Sequence, residues 1–182
     1  MKKVILGVLV GLFFSAVSAS KAEELSDSHP APSGSGWYLG LGMGCDAPLQ
    51  AWDSAYSLGG GGNMFVGCRF NPSTALQLSV SPWFFTGGGL SLVDVRITPE
   101  LKILNPSSGW APYFLMGPGY DLQFDSPSGY FTSSLAVVAG IGFQFDFHKG
   151  EHAFIEGRYS LLLYNNLTQE DVPVLVGLSE DL

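Results

Sequence analysis

The chain has 182 residues, with 24 Gly, 13% aromatic and 13% charged residues, and a formal net charge of −8. An ordinary soluble domain carries roughly 25% charged residues, so little polar material is left to coat a water-facing surface. The acidic balance excludes nucleic acid as a partner, because phosphates demand Lys and Arg.

The N-terminus has the layout of a secretory signal peptide. Lys2 and Lys3 precede an apolar run from Val4 to Val17. Small residues follow at Val17-Ser18-Ala19, with Ser20-Lys21-Ala22 as a second cleavage candidate. The run is shorter than the roughly 20 residues of a spanning helix, which disfavours an uncleaved anchor. The expected division is therefore a signal peptide over 1–19 (or to 22), a flexible leader over 20–35 and a single domain over 36–182. Removing Lys2 and Lys3 makes the remaining chain more acidic still.

From Gly36 onward, apolar and small or polar residues alternate with period two, which predicts strands. The first runs about Trp37 to Cys45, with Trp37, Leu39, Leu41, Met43 and Cys45 on one face and Tyr38, Gly40, Gly42 and Gly44 on the other. The second is expected over Gly61–Phe70, and Asn71-Pro72-Ser73 turns the chain. The third covers Thr74–Phe85.

The fourth, Leu92–Leu104, sets Val93, Val95, Ile97, Leu101 and Ile103 against Asp94, Arg96, Thr98, Glu100 and Lys102. The fifth, Pro112–Phe124, sets Phe114, Met116, Tyr120 and Leu122 against Gly117, Gly119, Asp121 and Gln123. The sixth covers Leu135–Phe147, with Gln144 and Asp146 on its polar face. The seventh, His152–Tyr164, carries Glu156 and Arg158, and the eighth covers Val172–Leu182. Pro99 and Pro118 interrupt the pattern, because proline cannot donate to a ladder.

About eight segments of roughly ten residues match tilted strands of a closed antiparallel transmembrane β-barrel. No later segment offers a helix-length apolar run, so a membrane-embedded form must be a barrel. The bulky face suits hydrocarbon. The other face mixes Gly with Arg69, Asp94, Arg96, Glu100, Lys102, Asp121, Asp146, Glu156 and Arg158. A water-facing surface rich in Gly would weaken strands and cover nothing. The expectation is a narrow lumen in which Gly leaves room for long charged side chains that pair. Trp37, Phe70, Trp110, Tyr113, Phe147 and Tyr164 are expected as interfacial aromatics.

An even strand number puts both termini on the periplasmic side. Loops at 46–60, 86–91, 125–133 and 165–171 then face outward, carrying Asp46, Trp52, Asp53, Tyr56, Asp125, Tyr130 and Phe131. Cys45 and Cys68 lie too far apart along neighbouring strands for a disulfide and read as outward apolar residues.

Residues 36–44 (GWYLGLGMG), 66–72 (VGCRFNP), Pro112-Tyr113-Phe114, Gly140-Ile141-Gly142-Phe143 and Glu156-Gly157-Arg158-Tyr159 resemble the OmpA/OmpX-like small outer-membrane β-barrel family. The resemblance covers about Gly36 to Leu182. It implies residence in the cell outer membrane, with outer-membrane lipid and the outer-membrane assembly machinery as partners. At the C-terminus, Leu182 stands where such proteins usually carry an aromatic residue, and Glu180 where an apolar one is usual.

Three His give little chemistry. His29 is in the leader, and His148 and His152 flank a turn without further metal ligands. The reading is a monomeric, non-enzymatic barrel with no cofactor, no metal and a structural or surface-interaction role. A narrow pore, a lipid-modifying enzyme and a soluble lipocalin-like binding barrel are the competing readings. The sequence names no extracellular ligand.

Overall fold

The computed structural model describes residues 36–49, 56–87, 89–105, 110–126, 129–164 and 167–182. The export segment and leader, together with Trp52 and Asp53, lie outside the described residues. Eight antiparallel strands follow in chain order: β1 (Gly36–Leu49), β2 (Gly59–Asn71), β3 (Thr74–Gly87), β4 (Leu90–Leu104), β5 (Trp110–Ser126), β6 (Phe131–His148), β7 (Glu151–Tyr164) and β8 (Leu167–Asp181). Each pairs with its sequence neighbour, and β1 pairs with β8 to close the barrel. Closure leaves no unpaired edge among these strands, as a spanning sheet requires.

The period-two reading and the strand order hold; the strands are longer than expected. β1 continues through Asp46 and Pro48 to Leu49 because β8 begins at Leu167 and pairs beside it, with Asp46 opposite Pro173 and Leu49 opposite Glu170. β6 likewise begins at Phe131, opposite Phe124. Much of the expected loops at 46–60, 125–133 and 165–171 is thus barrel wall. At the opposite end the turns are tight. Ser73 donates its backbone N–H to Asn71 Oδ1 at 2.9 Å. Gly150 takes a left-handed φ of 76° between β6 and β7, where a Cβ would be strained.

The two awkward prolines share one break. The β4–β5 ladder runs from Ser91↔Ser126 to Ile97↔Tyr120 and resumes at Leu101↔Met116 in the same register. Pro99 and Pro118 fall inside that interval. A Cβ on the adjacent Gly117 would lie 1.9 Å from the Pro99 carbonyl oxygen, so only glycine lets the strands stay close there.

Side chains sort as the alternation requires. Outward Met43, Val66, Leu78, Met116, Leu135, Ile141, Val176 and their neighbours form an exposed apolar wall on the strands, with Ile141 67% and Met43 66% exposed. Surface of this kind is costly in water and favourable in hydrocarbon. Trp37, Phe70, Trp110 and Phe147 are outward and exposed. Tyr164 ends β7, with its side chain outside the described set. Tyr113 corrects the expected aromatic set: it is only 5% exposed and points inward. Its neighbour Phe114 faces out, so parity places Tyr113 inside even though it lies near a strand end.

Cys45 is opposite Gly60 and Cys68 opposite Trp37, at opposite ends of the β1–β2 hairpin, and both thiols are free.

Candidate functional site: the barrel interior

The inward row of β4 brings Asp94, Arg96, Glu100 and Lys102 into the interior, where each is at most 5% exposed. Strand parity alone aims them there. What satisfies them comes from other strands.

Toward the loop end, Arg96 is the hub. Its Nη2 donates to Asp171 Oδ2 at 2.7 Å and to Asp94 Oδ2 at 3.0 Å. Its Nε donates to Asp121 Oδ1 at 3.3 Å, and its Nη1 to Ser160 Oγ at 2.6 Å. Asp94, Asp121 and Asp171 are fully buried, as is Asp46 on β1. Four carboxylates thus share this level with a single guanidinium.

Toward the end that carries the termini, Glu100 and Arg158 form a second hub. Arg158 Nη1 donates to Glu100 Oε1 at 2.7 Å, and its Nε donates to Glu156. Glu100 Oε2 also accepts from Gln77 Nε2 at 2.6 Å and from Ser79 Oγ at 2.7 Å. The Tyr113 hydroxyl donates to Glu156 Oε2 at 2.7 Å. Lys102 Nζ lies 4.0 Å from the Tyr113 ring centroid and donates to Gln144 Oε1 at 3.1 Å. Buried charges persist only when paired and hydrogen-bonded in this way.

Two expected lumen charges sit at the rim of the interior. Arg69 is half-buried near the rim, where its Nη1 donates to Asp181 Oδ2 at 3.0 Å. Asp146 is exposed, and its Oδ1 lies 2.6 Å from His152 Nδ1. Both stand beside a register shift, between Arg69 and Asn71 in one case and between Asp146 and His148 in the other. Each shift begins beyond the residue: Arg69 still pairs with inward Ala75 and Asp146 with inward His152, and the Arg69 guanidinium lies 5.5 Å from the centroid of the buried Tyr38 ring. His148 is exposed and does not join His152. Among the described residues no group of three His, Cys, Asp or Glu side chains has metal-holding geometry.

The interior is not filled by charge alone. Tyr38, Phe65, Trp83, Phe85, Leu92, Phe154 and Leu175 form one buried apolar cluster with Ala75. Leu104, Ala111, Tyr113, Leu115 and Val138 form another. The glycines mainly accommodate these rings. A Cβ on Gly40 would meet the Phe65 ring at 2.1 Å, one on Gly67 the Tyr38 ring at 2.3 Å, and one on Gly142 the Tyr113 ring at 2.4 Å. A Cβ on Gly140 would lie 3.1 Å from Arg158 Cγ, so there glycine makes room for a long charged chain as expected.

The sequence singles out neither Asp171 nor Asp181, and Asp46 and His152 read there as loop and turn residues. Asp46 continues the even-numbered inward row of Tyr38, Gly40, Gly42 and Gly44, and Asp171 opposes the parity of Val172 and Val174. That parity was the available signal for both.

Solved structures of other proteins resemble this barrel. Neisserial surface protein A superimposes with a TM-score of 0.72 at 12% identity, covering 82% of this chain and all of that one. The fold is that of the small outer-membrane β-barrels. OprG of Pseudomonas aeruginosa gives a TM-score of 0.55 at 11% identity, over 82% of this chain and 96% of that one. The N-terminal barrel domain of OprF from the same organism gives 0.53 at 12% identity, over 78% and 96%. No family model matches the sequence. No curated protein matches it.

Proposed function

We propose that the chain is an integral outer-membrane protein whose barrel is a plugged scaffold, with a structural or surface-interaction role and no catalytic one. The observation that carries this reading is the pairing of opposites in one wall: bulky apolar side chains outward, and ion pairs interlocked with aromatic rings inward. A soluble barrel of this size would need the reverse arrangement.

The outward wall fits outer-membrane lipid, and the strands of 13 to 18 residues exceed the about 9–11 that a tilted spanning strand needs, leaving their ends to stand clear of hydrocarbon. The end bearing Gly36 and Leu182 faces the periplasm, and the opposite end faces outward. The filled interior favours a monomeric plug over a water-filled path.

Three measurements, gel mobility of the outer-membrane fraction, planar-bilayer conductance and lipid A mass, test this. Outer-membrane fractionation with faster gel migration of the unboiled band is the expected result. In planar bilayers the protein is electrically silent. Stepwise conductance makes it a pore instead, altered lipid A mass makes it an enzyme, and a soluble periplasmic band removes the membrane reading.

A further inference from the structure

At the end opposite the termini, a pocket of about 190 Å³ opens between β4, β5, β6, β8 and the segment before β2. Two tyrosines, Tyr56 and Tyr130, line it with the Asp125 carboxylate and the amides of Gln123 and Gln169.

Its walls are held by the barrel. The Asp125 backbone N–H donates to the Tyr130 carbonyl at 2.9 Å, and the Gly129 N–H donates back to the Asp125 carbonyl at 3.1 Å. Tyr56 packs edge-on against Phe85, with ring centroids 6.5 Å apart. Gln123 Nε2 donates to Gln169 Oε1 at 3.3 Å, joining β5 to β8 across the pocket floor. Burial raises the Tyr56 phenol above its usual range, and the charge of nearby Asp125 adds to the effect.

The β4–β5 register fixes what lies below the pocket. Asp94 is the ladder partner of Gln123, and Leu92 that of Asp125. Directly beneath the pocket therefore lies the level where Asp46, Asp94, Asp121 and Asp171 face the single Arg96. The Asp125 carboxylate and the two aromatic side chains disfavour anions and suit a small organic cation.

We propose that this pocket is a binding site for a small organic cation of the amine or quaternary ammonium class. It deepens the surface-interaction reading and rests on it only for the claim that the pocket faces outside the cell; binding itself is measured on the isolated barrel.

The test titrates choline chloride into the purified, folded protein in detergent micelles, with sodium chloride at matched ionic strength and glucose as comparators. NMR of the Tyr130 and Thr132 amides reads the site. The expected result is saturable shifts with choline alone, weakened about tenfold by Tyr130→Ala, on the scale of one cation–π contact. Gln169→Lys, which sets a fixed cation in the pocket, abolishes binding, with unboiled gel mobility confirming that the variant is folded. Shifts reproduced by sodium chloride mean diffuse electrostatics and overturn the proposal. Saturation by glucose instead of choline assigns the pocket to a neutral saccharide and overturns it too. No saturation with any probe overturns it while leaving the plugged-barrel reading to its own tests.

Discussion

Arg96 on β4 and Asp171 on β8 meet across the barrel interior, with Nη2 donating to Oδ2 at 2.7 Å. These strands stand four places apart in the closed order, so this bond ties opposite walls together. The same guanidinium also holds Asp94 and Asp121.

Arg96→Met should destabilise the barrel by about 3–5 kcal/mol, because it strands buried carboxylates without a counter-charge. Arg69→Met should cost under about 1 kcal/mol, since the Arg69–Asp181 pair is partly solvated, with side chains 20% and 36% exposed. Denaturant unfolding in lipid vesicles, read by the boiled and unboiled gel bands, compares the two. Equal losses would show that the interior pairs are not what holds the walls.

Gly44→Ala and Gly60→Ala separate crowding from chain entropy. A Cβ at position 44 would lie 1.8 Å from the Val174 carbonyl oxygen on β8, whereas one at position 60 meets nothing within 4 Å. Gly44→Ala should therefore reduce the heat-shifted folded fraction by forcing the β1–β8 seam apart. Gly60→Ala should leave that fraction unchanged or raise it slightly.

Tyr113→Phe removes the hydroxyl that donates to Glu156 Oε2 and leaves the ring beside Lys102. A hydrogen bond to a charged acceptor of this kind is worth about 1.5–3 kcal/mol, and that loss is expected in the unfolding midpoint. A change within error would mean that water replaces the phenol inside the barrel.

Tryptophan position can be read in lipid directly. Trp37 and Trp110 are outward, and Trp83 is 1% exposed and inward. In variants that each keep one of these tryptophans, brominated lipid should quench Trp37 and Trp110 strongly and leave Trp83 bright. Quenching of Trp83 would invert the face assignment.

Sequence alone determined the strand count, the order along the chain and which face of each strand is apolar, because side chains alternate strictly across a pleated strand. Val93 to Lys102 shows this most clearly: Asp94, Arg96, Thr98, Glu100 and Lys102 are all buried, while Val93, Val95, Ile97 and Leu101 on the other row are half-buried or exposed. Parity is a local property, and one chain carries it in full. Only the tertiary structure decided where strands end and what their inward groups meet. Asp46 read as loop until β8 began early enough to pair beside it. Arg69 and Asp146 keep inward parity, opposite Ala75 and His152, but each is the last in-register pair before a turn, where the barrel wall ends and solvent reaches them. Gly40, Gly67 and Gly142 signalled a need for space, but only the neighbouring strand revealed that aromatic rings fill it. Barrel closure and register bring together residues far apart in sequence, such as Arg96 and Asp171, and no local pattern encodes that distance.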